Sequence, residues 1–311
     1  MNLPVTIRIL GVGGGGCNAL RNMMNAGFTG VGFIACNTDV KSLDRNPATW
    51  KVPLGPTTTR GLGAGARPAI GRAAAEEVRE ELARVVAGAD LVFIAAGMGG
   101  GTGTGAAPVI AEIAREQGCL TVAIVTRPFG FEGRRRGAHA LAGIEHLQGS
   151  ADTVIVIPNE RLLTELPANV SMLEAFRRAD DVLLHSIRSM TEVIHQVGYI
   201  NVDFADARRV LKDAGPAVIC TGVADGRDRG IGAVEAALHC PLLEDDSIGG
   251  ATDLLINLTV PRDFLVQELE GALERLQASV ARDALITAGV AFAGPSIADV
   301  RATIVATGMP R

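Results

Sequence analysis

Eleven residues constrain this chain more than any others: Ala95-Ala96-Gly97-Met98-Gly99-Gly100-Gly101-Thr102-Gly103-Thr104-Gly105, of which six are Gly and two are Thr. Ala89-Asp90-Leu91-Val92-Phe93-Ile94 runs into them with the character of a buried strand. Ala106 to Gln117 leaves them with the pattern of an apolar helix. A segment with so few side chains is not built for packing. It offers approachable backbone N–H groups, two hydroxyls and the positive end of a helix, which are the parts of a phosphate cradle. A flexible loop is the plainer alternative, but such loops are rarely bracketed this tightly by a buried strand and an apolar helix.

The rest of the chain must supply a body for that cradle, and 311 residues suffice for two domains with cores of their own. Apolar residues make up 48% and charged residues 20%, as in a folded globular protein. The net charge is -5 and the basic residues are scattered, so no nucleic-acid surface is expected. Cys17, Cys36, Cys119, Cys220 and Cys240 lack metal-ligand or redox spacing and read as reduced thiols. The five histidines are too scattered for a metal site; His185 and His195 share one helix ten residues apart. No signal peptide or bilayer-length apolar run is read, so the expected location is the cytoplasm.

Taken in order, Val5 to Leu10 reads as a strand that enters Gly11-Val12-Gly13-Gly14-Gly15-Gly16-Cys17-Asn18, and a helix follows to about Ala26. Taken alone, this second glycine turn resembles a dinucleotide fingerprint, a weak signal. The chain has no Walker Lys-Ser/Thr. Asn18 reads either as a helix N-cap or as a donor and acceptor for a base or sugar. Val31 to Cys36 is the second strand, ending at Asn37-Thr38-Asp39, and Pro47 to Pro56 reads as a loop that carries Trp50. Gly61-Leu62-Gly63-Ala64-Gly65-Ala66 is a third small-residue loop, followed by a helix from Arg72 to Val86. Three glycine loops exceed what one pyrophosphate needs and fit a triphosphate held along its length. Strands at Leu120 to Thr126 and Thr153 to Ile157 flank a helix that opens at Arg134-Arg135-Arg136. This alternation predicts a mostly parallel sheet with helices on both faces.

Ser171-Met172-Leu173-Glu174 is a capping box. It opens a helix with apolar residues at Met172, Phe176, Ala179, Leu183, Ile187, Met190, Ile194 and Val197, and Gly198 is expected to stop it. On the order of 40 Å long, the helix reads as a spine between domains. Asp180 and Asp181 sit on its early polar face: either solvated, or able to accept the N1–H and N2–H2 pair that guanine has and adenine lacks. In Asn201-Val202-Asp203-Phe204-Ala205-Asp206, Asn201 or Asp203 can cap the next helix. Asp203 and Asp206 fall on one face of its first turn, as comfortable N-terminal acids or as a pair presenting water or a cation. The remainder predicts a smaller α/β domain without a glycine cradle. The expected divisions are residues 1–170, a connecting helix over 171–198, and residues 199–311.

With those residues in place, Gly99-Gly100-Gly101-Thr102-Gly103-Thr104-Gly105 resembles the phosphate-binding signature of the tubulin/FtsZ family. Gly11 to Asn18, Phe131 to Arg136 and Asn201 to Asp206 are similar to it too, so the likeness covers nearly the whole chain. The resemblance implies a Rossmann-like GTPase domain, joined by the long helix to a smaller α/β domain. It implies GTP/GDP and Mg2+ as cofactors, with no protein metal-ligand set. Gly13, Gly14, Gly15, Gly97, Gly99, Gly100, Gly101, Thr102, Gly103 and Thr104 would hold phosphates, and Gly63, Ala64 and Gly65 would sense the γ-phosphate. Asn18, Asp180 and Phe176 would face guanine; Glu132 and Arg136 would lie on the nucleotide's sugar side, and Asn37 would be a further nucleotide contact. Asp203 and Asp206, with Asn201, would position water on the nucleotide of an adjoining copy.

The implied activity is GTP hydrolysis in a head-to-tail homo-oligomer or filament, within a cell-division ring. Three features depart from the family pattern, one being a less typical second domain around Val260-Pro261-Arg262-Asp263 and Gly294-Pro295-Ser296. Arg67-Pro68-Ala69 stands where the family usually continues Asn-Pro-Glu, and the usual linker and adaptor-docking tail do not follow Arg311. No direct membrane binding is therefore expected. The alternative is a low-activity or non-hydrolysing GTP-binding relative that co-assembles with a full-length family member, of the tail-less kind found with some magnetosome gene sets. A nicotinamide-dependent oxidoreductase would leave Gly99 to Gly105 unexplained.

Overall fold

The structure, a computed structural model, describes residues 5–167, 169–195, 199–200, 202–240, 248–293 and 299–309. The chain divides into two compact units, Met1–Arg188 and Ser189–Arg311. The first unit opens with β1 (Ile7–Val12), α1 (Gly13–Asn25), β2 (Gly32–Asn37), α2 (Val40–Asp44) and β3 (Trp50–Pro53). It continues with α3 (Pro68–Glu77), α4 (Arg79–Val86), β4 (Leu91–Gly97), α5 (Thr102–Glu116) and β5 (Leu120–Arg127). Then come α6 (Arg134–Ser150), β6 (Thr153–Pro158), α7 (Asn159–Leu162) and α8 (Met172–His195).

Its strands lie in the order β3-β2-β1-β4-β5-β6 and every pairing is parallel. Near-continuous apolar runs explain this: Leu91 to Ala96 is buried at every position, as a sheet covered on both faces requires. Chain order reverses between β1 and β4, where Ile9 lies opposite Phe93 and Val12 opposite Ala96. That reversal is the topological switch point, and the carboxyl ends of its two strands lead straight into the two glycine turns.

In α8, Ser171 Oγ accepts the Glu174 N–H at 3.1 Å, the N-cap its sequence predicts. The helix has 24 residues and is therefore about 36 Å long. The boundary between the two units falls inside it. Gln196 to Gly198, including the expected stop at Gly198, lie outside the described residues.

The second unit contains α9 (Phe204–Leu211), β7 (Gly215–Ala224), α10 (Arg229–Leu238), β8 (Asp253–Val260), α11 (Val266–Gln277), β9 (Leu285–Phe292) and β10 (Val300–Thr307). Strand β10 pairs antiparallel with β7 and β8, and β8 pairs parallel with β9. Leu254, Ile256, Leu258, Ala302, Ile304 and Ala306 pack with α10 residues Ala233, Val234 and Ala237 in this unit's own core.

Three sequence expectations need correction. The segment around Trp50 is an edge strand rather than a loop: Ile34 to Asn37 registers with Trp50 to Pro53. The helix expected over Arg72 to Val86 is two helices broken at Val78, whose φ of -115° and ψ of 25° leave the helical region. Arg79, just past the break, pairs with Glu76 and reaches Glu112 and Glu116 on α5. Lastly, α1 begins at Gly13 with Val12 as its N-cap, so Asn18 lies inside the helix and caps nothing.

Helices α3 and α5 approach each other through glycine. A Cβ on Gly105 would collide with the Pro68 carbonyl oxygen and come within 2.6 Å of the Arg72 nitrogen. One on Gly137, in α6, would meet nothing within 4 Å. Gly105→Ala is therefore expected to lower stability by roughly 1–3 kcal/mol through overpacking. Gly137→Ala is expected to raise it by about 0.5–1 kcal/mol through lost unfolded-state entropy. Thermal unfolding of the two variants checks both signs.

Candidate nucleotide-binding cleft

At the switch point the two glycine turns pack against each other, backbone to backbone. A Cβ on Gly16 would strike the Ala95 carbonyl oxygen at the end of β4, and one on Gly103 would lie 2.5 Å from the Gly97 oxygen of its own turn and 3.4 Å from the Val12 oxygen across from it. Gly13, at φ +70°, would put a Cβ 2.8 Å from the Gly103 nitrogen. These glycines are needed for close approach. Gly14 and Gly100 are different: a Cβ on either would meet nothing within 4 Å. Both border an open cleft of about 470 Å3. What glycine preserves there is room for a ligand.

Gly14, Gly15, Gly97, Gly100, Gly101, Thr102 and Gly103 form one end of the cleft. The N-terminus of α5 begins in it at Thr102, so unpaired N–H groups and the positive helix end face the space. Thr102 Oγ1 shares a hydrogen bond of 2.6 Å with Thr38 Oγ1, which fixes its rotamer. Asn18, Glu132, Arg136, Phe176 and Asp180 also line the cleft. Arg136 donates to Glu132, whose other oxygen accepts the Phe129 N–H at 2.9 Å. Phe176 packs edge-on to Phe129, ring centroids 5.3 Å apart, which holds it at the wall.

Asp180 is half-buried, and Asn22 Nδ2 donates to its Oδ2 at 3.3 Å. Burial, with the Asp181 charge beside it, pushes its carboxyl up to about 6, against the opposing pull of Arg21. An acid kept partly out of water, with few donors of its own, is poised to accept hydrogen bonds from a ligand.

Some expected site residues lie elsewhere. Thr104 is buried, and its Oγ1 accepts the Gly99 N–H at 2.8 Å; it shapes the turn from inside and does not line the cleft. Gly99 is likewise behind the wall, at φ +96°. Asn37 is buried, its Oδ1 accepting the Asp39 N–H at 3.3 Å. Gly63, Ala64 and Gly65 stop short of the cleft, which their neighbour Ala66 lines at a left-handed φ of 55°. That loop is anchored from behind: Glu77 accepts the Thr57 and Thr58 N–H groups and the Thr58 hydroxyl. The Thr58 hydroxyl first, and the two N–H groups with it, bring the Glu77 carboxyl down to about 2. Arg67 is exposed just beyond the loop.

Asp203 and Asp206 cap α9 reciprocally: Asp203 Oδ1 accepts the Asp206 N–H at 2.8 Å, and Asp206 Oδ2 faces the Asp203 N–H at 3.4 Å. Each carboxylate keeps a second oxygen. Asn201 lies outside the described residues.

Sequence reasoning missed Met98, Thr126, Pro128, Asn159 and Ala179, all of which line the cleft. Asn159 matters most. Its side chain is buried, and its Oδ1 has no hydrogen-bond partner. A buried acceptor without a donor is costly, and a ligand N–H arriving in the cleft would satisfy it. Its place directly after β6, at the carboxyl edge of the sheet, was the one available signal.

Family models match both units. Residues 6–167 fit the tubulin/FtsZ family GTPase domain, and residues 215–310 fit the FtsZ family C-terminal domain. This chain belongs to the tubulin/FtsZ family. It is 46% identical over 303 residues to the cell division protein FtsZ of Pseudomonas aeruginosa, covering 97% of this chain and 77% of that protein. It superposes on an empty FtsZ dimer structure from M. jannaschii with a TM-score of 0.92 at 40% identity, covering 99% of this chain and 89% of that one. The fold also matches CetZ2 of Haloferax volcanii, a GTPγS-bound protofilament, with a TM-score of 0.85 at 20% identity, covering 99% and 94% of the two chains. The first unit is thus a GTPase domain of this family.

The Asp180 carboxyl gives a pH prediction for the nucleotide-free protein. Its folded value lies above the ordinary 3.8, so the folded state keeps its proton where the unfolded state has lost it. Asp180's own contribution to stability is therefore greatest below 3.8 and falls as pH rises towards about 6, by up to about 3 kcal/mol. Asp180→Asn removes that component, and urea unfolding from pH 4 to 7 reads the difference in slope.

Proposed function

We propose that the cleft binds GTP with Mg2+, and that the chain hydrolyses it only when a second copy completes the site. One observation carries the reading. A single cleft joins a glycine backbone cradle at a helix N-terminus to a half-buried carboxylate, Asp180, and an unpartnered acceptor, Asn159 Oδ1. The cradle suits phosphates. The two acceptors suit the N1–H and N2–H2 donors of guanine, which adenine lacks. Phe176 stands on the wall beside the base, and the Glu132–Arg136 pair is placed for ribose hydroxyls.

Mg2+ would supply positive charge that neutralises charge developing on the phosphates. Among the described residues no cluster of three or more acidic, Cys or His groups could hold a metal by itself. Phosphates and water would accordingly provide most of its ligands, with the Thr102 hydroxyl close by.

Among the described residues, the cleft wall has no spare base for the attacking water. Its ionisable side chains are Glu132, Arg136 and Asp180; the first two are paired with each other, and the third sits with the base-recognising group. Hydrolysis by water requires a group to position the nucleophile. Asp203 and Asp206 of an adjoining copy are suited to it, since each has an oxygen left over from the helix cap and the cap holds both rigid. A contact in which one face of a subunit meets a different face of the next does not close on itself and gives filaments. Relatives named for cell division support a role for those filaments in that process, at the division site. A low-activity partner of a full-length family member is the second reading, favoured by the exposed cation Arg67 beside the Gly63–Ala66 loop.

Asp206→Asn keeps a side-chain acceptor for the Asp203 N–H and removes the charge. It is expected to bind GTP within about twofold of wild type and to lose at least about 100-fold in turnover. Equilibrium binding and phosphate release check the pair of outcomes. Loss of GTP binding, or normal turnover, would contradict the assigned role.

A further inference from the structure

Arg21 lies on α1 one turn beyond Asn18, and its Nη2 donates to Asn18 Oδ1 at 2.5 Å. A guanidinium carries donors alone, so the Asn18 amide must turn its oxygen to Arg21 and its nitrogen elsewhere. Asn18 is exposed on the wall of the cleft. The group it shows to a ligand is therefore its N–H2. The same guanidinium lies close enough to Asp180 to favour the ionised carboxylate. Arg21 is half-buried, and its Nε is fully enclosed without a partner. An arginine on a helix surface ordinarily extends into water to satisfy all its donors. This one gives up a hydrogen bond to stay beside Asn18 and Asp180, and the cost calls for a return.

We infer that Arg21 is a specificity-positioning residue, which locks Asn18 as a donor beside the acceptor Asp180 and so matches the cleft to a 6-oxopurine. Guanine offers an acceptor at O6 and a donor at N1–H. Adenine offers an amino donor and a bare N1, so it would set donor against donor and acceptor against acceptor. Without Arg21 the Asn18 amide is free to rotate by half a turn and present Oδ1 to an amino group. The adenine penalty would then shrink. This inference rests on the guanine-nucleotide reading of the cleft.

The test is equilibrium binding of GTP and ATP to the full chain at pH 8, where Asp180 is ionised. It compares wild type, Arg21→Met, Arg21→Lys, Asn18→Ala and the Arg21→Met/Asn18→Ala double variant. Methionine keeps the apolar stem and removes every donor. Arg21→Met is expected to lower the GTP-over-ATP preference by about tenfold, the worth of one mismatched hydrogen bond. Arg21→Lys should restore most of it. In the Asn18→Ala background, Arg21→Met should change the preference no further, because the effect runs through Asn18. An unchanged preference in Arg21→Met, an equal weakening of both nucleotides, or the same loss with Asn18 already removed would overturn the inference. A wild-type protein with no preference for GTP would overturn it together with the guanine reading, and would show this before any substitution is made.

Discussion

The contact on which the rest depends is backbone against backbone: the α1 turn at Gly13 to Gly16 lying on the β4–α5 turn at Gly97 to Gly103. A methyl group at Gly16 would drive into the Ala95 peptide at the end of β4, one at Gly13 into the Gly103 nitrogen, and one at Gly103 into the Gly97 oxygen of its own turn. This closeness lets two helix starts converge on one space. Each helix brings unpaired N–H groups and a partial positive charge. Together they would offer a polyphosphate two sets of donors without a lysine. The parallel sheet makes the convergence available, since the order β3-β2-β1-β4-β5-β6 reverses direction at that point.

The two ends of the cleft are built from different materials, for different reasons. At the glycine end the donors are peptide groups, which do not titrate and cannot swing away. Their support comes from behind: Thr104 ties down Gly99, and Thr38 steadies Thr102. At the other end the groups are side chains that gain meaning from burial. Asp180 is held partly out of water and Asn159 Oδ1 is left without a donor. Both are uncomfortable in the empty protein, and both are relieved by a ligand with N–H groups. Affinity would then come mainly from the first end and choice of base mainly from the second.

Much of this was legible in the sequence because it was local. A glycine run between an apolar strand and an apolar helix has few interpretations, and the period of α8 and its Ser171 cap could be read from spacing alone. Other features depended on tertiary neighbours. Thr104 and Thr102 differ by two positions in one motif, yet one turns into the core and the other to the cleft, a matter of helix phase. Asn37 ends a strand as a ribose ligand would, but is drawn into the turn at Asp39. Asn159 opens a short helix, and only the cleft beside it shows that its oxygen lacks a donor. The break at Val78 has no glycine or proline to mark it, and the edge strand at Trp50 is too short to show a period.

On the reading proposed above, hydrolysis is a property of an assembly, because the described residues of the cleft wall offer no spare group to position water. Asp203 and Asp206 are braced by their own helix cap, so they can be presented rigidly to whatever nucleotide a neighbouring copy carries. The direct measurement is GTP hydrolysis per subunit as a function of protein concentration with Mg2+, recorded alongside light scattering. Specific activity that rises above a threshold, together with scattering, is the predicted result. Full specific activity in dilute protein that does not scatter would contradict a site shared between subunits.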